Sequence, residues 1–209
     1  MLEADKRAPV LLLRSFEDDP TEVSPKNLIT YFQRNDYTLE EALEPELAGY
    51  GPFIAIGAPE EQLPRLGAAR SYFTSETWQE AIEEWINHAR MIVLVAGRTQ
   101  WVEWEIKTII ENHCLGKLLI VLPPEKGEAR RMRWDRLCDH FSETPWFSVL
   151  QSVDPEKILA LHMWPNDTLT IIRSRKSHQV DYELAVRLCV FGMTGLNAGQ
   201  EGASRNKAA

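Results

Sequence analysis

Short apolar runs alternate with amphipathic stretches along most of the chain. Five of the apolar runs are predicted to be strands: Pro9–Ser15, Pro52–Gly57, Arg90–Ala96, Leu118–Leu122 and Trp146–Leu150. Strands that are separated by helices pair in parallel, and a parallel sheet is covered by helices on both faces. The pattern therefore predicts a three-layer α/β fold around a five-stranded, mainly parallel sheet.

The amphipathic stretches predict the helices between these strands. The clearest one begins at Trp78, where apolar side chains recur on one face as far as Ala89. An earlier helix over Thr38–Tyr50 opens with a capping box formed by Thr38 and Glu41. Two further helices are predicted over Gln100–Cys114 and Gly127–Phe141.

The pattern is weaker after Leu150. Leu169–Arg173 is predicted to be an extra edge strand and His178–Phe191 a terminal helix. The expected organisation is a tail over residues 1–8, one domain over 9–150, a short extension packed on it over 151–195, and a disordered tail over 196–209.

Composition narrows the possible partners. The formal net charge of −8 argues against a broad surface for nucleic acid, which is not expected as a partner. Two local basic clusters stand out against this average. One contains Arg130, Arg131, Arg133 and Arg136, and the other contains Arg173, Arg175 and Lys176. A solvated surface is the favoured interpretation of both clusters, with phosphate binding as the alternative.

Cysteine usage and hydropathy predict a cytoplasmic location. The three cysteines, Cys114, Cys138 and Cys189, are odd in number and unevenly spaced, which is typical of reduced thiols. No apolar run reaches the roughly 18–20 residues of a membrane span, so none is expected in this chain. The histidines lack zinc-ligand spacing, and no metal or resident cofactor is expected.

Polar residues gather where the predicted strands end, which is where open parallel sheets bind ligands. Arg14, Ser15 and Phe16 follow the first strand, and Arg98 follows the third. Gly57 ends the second strand and opens the loop over Ala58–Ala69, which contains Pro64.

The helix after the third strand adds a carboxylate to this rim. With about 100° of rotation per residue, Glu105 lies at the edge of the buried stripe that begins at Val102. Trp101 lies one turn earlier beside it, whereas Trp104 is expected to point outward. An indole neighbour and partial burial favour a perturbed carboxyl group. An ordinary surface glutamate near a helix N-terminus remains the alternative from spacing alone.

Two stretches of the chain resemble a TIR (Toll/interleukin-1 receptor) domain. They are Arg14-Ser15-Phe16 at the end of the first strand and the Trp-x-x-x-Glu motif from Trp101 to Glu105. Together with the order of strands and helices, they extend the resemblance over residues 9–150. This region is similar to TIR-like domains of bacterial proteins. The resemblance implies a flavodoxin-like sheet order. The chain departs from the family in its Leu-Arg-Ser-Phe strand end and in its extension after Leu150.

The resemblance implies a site and two competing functions. It makes Glu105 the catalytic residue of an NAD+ glycohydrolase or cyclase in bacterial signalling or defence. Its substrate-binding residues are then Arg14, Ser15, Phe16, Gly57, Arg98 and Trp101. Alternatively, the domain is a non-catalytic module that self-associates through surfaces such as Trp104 and Pro64, or a sensor that binds a nucleotide without cleaving it.

Overall fold

A seven-stranded mixed sheet is the central feature of the computed structural model, which describes residues 5–15, 22–23, 37–56, 69–71, 78–164 and 166–207. A separate two-stranded pair lies beside it. In chain order the strands are β1 (Val10–Leu13), β2 (Glu22–Val23), β3 (Tyr37–Thr38), β4 (Phe53–Ile56), β5 (Ala69–Ser71), β6 (Met91–Val95), β7 (Leu118–Val121), β8 (Ile158–Met163) and β9 (Leu169–Arg173). The antiparallel pair is β2 with β3.

The sheet has the order β5-β4-β1-β6-β7-β8-β9. Its first five strands are parallel, while β8 is antiparallel to β7 and β9 is antiparallel to β8. The α/β class is confirmed, and the expected number of five strands is wrong. The chain steps from β1 to one side at β4 and then to the other side at β6, which is the reversal of strand order found in flavodoxin-like sheets.

One predicted strand is a helix. Trp146–Leu150 was expected to form the fifth strand, but Phe147–Gln151 is helical and only Leu150 within it is buried. A short apolar run fits a strand and a buried helical turn equally well, so periodicity cannot separate them. The place beside β7 is taken instead by β8, whose six residues are all buried.

Helices cover both faces of the sheet. They are α1 (Leu39–Tyr50), α2 (Trp78–His88), α3 (Gln100–Glu111), α4 (Gly127–His140), α5 (Phe147–Gln151) and α6 (Gln179–Lys207). Alternate strand residues point to opposite faces. Leu11 and Ile92 pack with α2, α3 and α4 in one core, whereas Val10 and Val93 pack with α1 and α6 in the other. The predicted three layers are therefore present.

The start of α1 is determined by its local sequence. Thr38 caps α1: its Oγ1 accepts a hydrogen bond from the Glu41 backbone N–H at 3.2 Å, and the Glu41 carboxylate accepts from the Thr38 N–H at 3.0 Å. The predicted capping box is confirmed.

The C-terminal part of the chain is built into the domain. Strands β8 and β9 extend the main sheet, and α6 packs on α1 and β8. The predicted edge strand Leu169–Arg173 is confirmed with the same bounds. A boundary between a packed extension and a disordered tail was expected after residue 195. Helix α6 continues past this point to Lys207. Among the described residues, no helix is long and apolar enough to cross a membrane.

Candidate functional site

A small cavity lies at the carboxyl ends of β1 and β6, where the strand order reverses. Its volume is ≈ 20 Å³, and it is lined by Leu12, Leu13, Arg14, Ser15, Trp78, Ile82, Thr99, Trp101 and Glu105. A cavity of this size holds about one water molecule. The fold thus places the residues of the Trp-x-x-x-Glu motif at the position where open α/β sheets bind ligands.

Helix α3 brings Glu105 to this cavity. Val102, Ile106 and Ile109 form its buried stripe, and Glu105 lies beside them with only 5% of its surface exposed. Glu105 is therefore more deeply buried than the edge position expected from spacing. A surface glutamate at the helix start, the alternative from spacing, is excluded by this burial.

The carboxyl group of Glu105 has an unusual environment. Its Oε2 atom is buried and has no hydrogen-bond partner among the described residues. Desolvation raises the pKa of this carboxyl group from 4.5 to about 8. Burial disfavours the charged form, and Arg14, the cation in the cavity lining, is paired with Glu40 instead. At neutral pH Glu105 is accordingly a neutral acid that can donate a proton.

Thr99 presents a second unsatisfied oxygen to the same cavity. It occupies the N-cap position of α3, where threonine normally accepts a hydrogen bond from the first helical turn. Here its side chain makes no such bond, and its buried Oγ1 has no partner among the described residues. Thr99 directly follows Arg98 on the rim predicted from the sequence, but it was not among the predicted binding residues. The cavity therefore contains two polar atoms that are available to a ligand.

Tryptophan rings form the apolar wall of the site. Trp78 from α2 meets Trp101 edge to face, with ring centroids 4.9 Å apart. Trp101 is 47% exposed, so it separates the cavity from solvent. Trp104 is only partly buried, and its ring lies 5.4 Å from that of Trp78. Trp104, which was expected to point outward, is partly exposed, and this ring contact holds its other part against the core.

The basic residues predicted for the site have different surroundings. Arg14 lines the cavity, but its Nε atom forms an ion pair with Glu40 of α1 at 3.3 Å, and both side chains are buried. Arg98 lies on the rim, where it pairs with Glu125 at 3.3 Å, and it does not line the cavity. Ser15 is buried against the cavity. Phe16, Gly57 and Pro64 lie outside the described residues.

The first basic cluster is only partly a solvated surface. Arg131 and Arg136 are exposed, as expected, but Arg130 and Arg133 are almost completely buried. Arg133 donates two hydrogen bonds to the Glu125 carboxylate, at 2.9 and 2.6 Å, and a third to the Ala96 carbonyl oxygen. This pairing fixes the segment after β7 against the end of β6.

The cysteines and acidic residues suggest no other chemistry in the described part of the chain. All three cysteines are buried and outside any disulfide. Burial raises the pKa of the Cys138 and Cys189 thiols to about 12, which keeps them protonated and unreactive. No group of three or more metal-ligating side chains is found among the described residues.

No protein-family model, curated protein or solved structure matches this chain. The functional argument therefore depends on the site itself.

Proposed function

We propose that this chain is a TIR-like NAD+ glycohydrolase with Glu105 as its catalytic carboxylate. The observation that carries the proposal is the burial of Glu105 without a hydrogen-bond partner for Oε2, in a cavity at the strand-order reversal. A buried, unpaired carboxyl group destabilises a fold, so its presence is explained by a ligand that it contacts.

The reaction breaks the bond between the nicotinamide nitrogen and C1′ of the ribose. The bonding electron pair leaves with nicotinamide, and positive charge develops on the ribose. A water oxygen then bonds to C1′ and releases a proton, which gives ADP-ribose. Glu105 as a carboxylate would stabilise the developing charge, and this stabilisation accelerates the reaction because it is stronger in the transition state than in the ground state.

The protonation state of Glu105 must change for this role. The pKa of Glu105 is about 8, so the carboxyl group is mostly neutral at pH 7. The nicotinamide ring of NAD+ is cationic, and an opposite charge nearby lowers the pKa of a carboxyl group. We infer that substrate binding itself ionises Glu105, while Thr99 Oγ1 bonds to a substrate hydroxyl.

The closed cavity also implies a movement. A volume of ≈ 20 Å³ is too small for a nicotinamide ring. Trp101 is the exposed member of the cavity wall, and it is held by one edge-to-face ring contact. We infer that Trp101 rotates outward to admit the substrate and then covers the ring, which excludes bulk water.

Nicotinamide release from NAD+ by the purified chain tests this function. Wild type is expected to release nicotinamide, and Glu105→Gln to be at least about 100-fold slower, as when one charge-stabilising group is removed. Glu103→Gln is the matched control, because Glu103 lies on the same helix but its side chain is 44% exposed. It should retain wild-type turnover. Equal rates for wild type and Glu105→Gln would refute the catalytic role.

A non-catalytic interaction module is the second candidate. It is favoured by a groove of ≈ 700 Å³ beside α3, which is lined by Trp104 and Ile110 and by residues that follow α4. Partly exposed aromatic side chains often anchor interfaces. Concentration-dependent self-association that Trp104→Ala abolishes, without NAD+ turnover at any concentration, would support this function instead. Saturable ADP-ribose binding without turnover would identify a nucleotide sensor.

A further inference from the structure

The two basic clusters of the sequence converge on one cavity. It has a volume of ≈ 190 Å³ and lies where β7 and β9 end and β8 begins, and it shares no lining residue with the Glu105 cavity. Its lining combines the cations Lys126, Arg130, Lys157, Arg175 and Lys176 with His178, two carboxylates, two serines and Leu159. Arg130 comes from the first cluster, and Arg175 and Lys176 come from the second.

The cations at the mouth of this cavity are unpaired. Lys126, Lys157, Arg175 and Lys176 are all exposed, and none forms an ion pair with a described residue. The cavity also lies in a chain whose formal net charge is −8. Like charges that are brought together repel each other, and an anion bound between them would relieve this repulsion.

The floor of the cavity contains a buried positive charge. Arg130 is 2% exposed, and its guanidinium donates hydrogen bonds to the main-chain carbonyl oxygens of Pro123, Pro155 and Ile158. No carboxylate of the described residues forms an ion pair with it, and those of Glu156 and Glu125 act on it only at longer range. An anion in the cavity would therefore be attracted by Arg130 as well as by the cations at the mouth.

The carboxylates in the lining are engaged elsewhere. Glu125 accepts two hydrogen bonds from Arg133 and pairs with Arg98. Glu156 accepts a hydrogen bond from the Gly127 backbone N–H at 2.9 Å, at the start of α4. Asp181 likewise accepts from the His178 N–H at 3.1 Å at the start of α6. Both helix starts are thus capped, and the excess positive charge comes from side chains.

We propose that this cavity is a binding site for a phosphate-bearing anion, held by Lys126, Lys157, Arg175 and Lys176 above the buried Arg130. Its ≈ 190 Å³ exceeds the roughly 30 Å³ that one water occupies, so it has room for a phosphoryl group and part of the molecule that carries it. Arginine and lysine are the side chains that proteins use for phosphate. The site is independent of the proposed NAD+ chemistry.

Calorimetric titration of the full chain with inorganic pyrophosphate tests the proposal. Wild type is expected to bind it saturably at one site. Lys176→Ala and Arg175→Ala should each weaken binding about tenfold, because a charge-assisted contact contributes about 1.5 kcal/mol. Lys107→Ala is the matched control, since Lys107 is also an exposed cation, lies on α3 and pairs with Glu111. It should bind like wild type.

Two further measurements identify the type of ligand and the location of the site. Glu105→Gln should keep full affinity for pyrophosphate, which separates this site from the Glu105 cavity. Sedimentation with phosphatidylcholine vesicles that contain phosphatidic acid identifies a lipid headgroup as the source of the phosphate if the chain pellets, and a soluble ligand if it does not. Absence of saturable pyrophosphate binding, or equal affinity in the Lys176→Ala and Lys107→Ala variants, would overturn the proposal.

Discussion

Trp78 and Trp101 meet edge to face with ring centroids 4.9 Å apart, and both rings line the cavity that holds the carboxyl group of Glu105. The two rings come from different helices, α2 and α3, that pack on the same face of the sheet. Their contact forms the apolar wall of the cavity beside Glu105. The protonation state of Glu105 is therefore a consequence of how these two helices pack.

Glu105→Gln should stabilise the protein, and the gain should depend on pH. The pKa of Glu105 is about 8 in the folded state and near its ordinary 4.5 in the unfolded state. The folded state thus holds a proton that the unfolded state loses. The free energy of unfolding of wild type should fall by about 1.4 kcal/mol per pH unit between about pH 4.5 and 8, and then level off.

Urea denaturation across this pH range measures the effect. Glutamine resembles the neutral acid and does not ionise, so the variant should be more stable than wild type by about 3 kcal/mol at pH 7. Glu103→Gln, on the exposed side of the same helix, should change stability by less than about 0.5 kcal/mol at every pH. Parallel pH profiles for wild type and Glu105→Gln would show that Glu105 ionises normally.

Trp101→Ala should lower the pKa of Glu105. Removal of this partly exposed ring admits water to the cavity, and hydration favours the carboxylate. The midpoint for ionisation should therefore move down from about 8 toward 4.5, as followed by the infrared band of the protonated carboxyl group. Trp101→Phe keeps an aromatic wall and should leave the midpoint near that of wild type. A midpoint unchanged in Trp101→Ala would mean that other groups exclude the water.

The sequence could predict the elements whose pattern is local. The parallel strands β1, β4, β6 and β7 are apolar runs between clear helical stretches, and the Thr38–Glu41 capping box marks the start of α1. Periodicity could not distinguish the Trp146–Leu150 run from a strand, because it is short and mostly apolar. Strand β5 has only three residues, too few to show any period.

The site was predictable only in part, for a similar reason. Helical spacing placed Glu105 beside the buried stripe of α3, since that relationship lies within one helix. The Arg14–Glu40 pair and the convergence of Arg130 with Arg175 and Lys176 join residues from separate elements. Such contacts follow from sheet order, which the pattern of one chain does not determine. From the sequence alone, a solvated surface was therefore the favoured interpretation of the basic clusters. Only the fold brings Arg130 together with Arg175 and Lys176.

Arg133→Leu should destabilise the fold much more than Arg136→Ala. Arg133 is 1% exposed, and its removal leaves the Ala96 carbonyl oxygen without this donor and the Glu125 carboxylate with Arg98 as its remaining partner. The loss of hydrogen bonds to a charged group costs about 1.5–3 kcal/mol. Arg136 is exposed and pairs with Glu103 at 3.8 Å, which contributes about 0–1 kcal/mol. Urea midpoints of the two variants compare these effects, and similar losses would contradict the structural role of Arg133.

Gly192→Ala should destabilise the packing of α6 against the sheet. A Cβ atom at Gly192 would lie 2.5 Å from Cη2 of Trp164. The Trp164 ring has little freedom to withdraw, because its Nε1 donates a hydrogen bond to Thr170 Oγ1 at 2.8 Å and the ring meets His162 edge to face. Overpacking of this kind costs about 1–3 kcal/mol.

Gly49→Ala is the matched substitution with the opposite expectation. Gly49 lies in α1, and nothing lies within 4 Å of a Cβ atom built there. Alanine is favoured over glycine in a helix by about 0.5–1 kcal/mol, so this variant should be more stable than wild type. If α6 packs on Trp164 through Gly192, thermal unfolding should show a lower Tm for Gly192→Ala and a higher Tm for Gly49→Ala than for wild type. A stabilising effect of Gly192→Ala would instead mean that α6 does not contact Trp164 at this position.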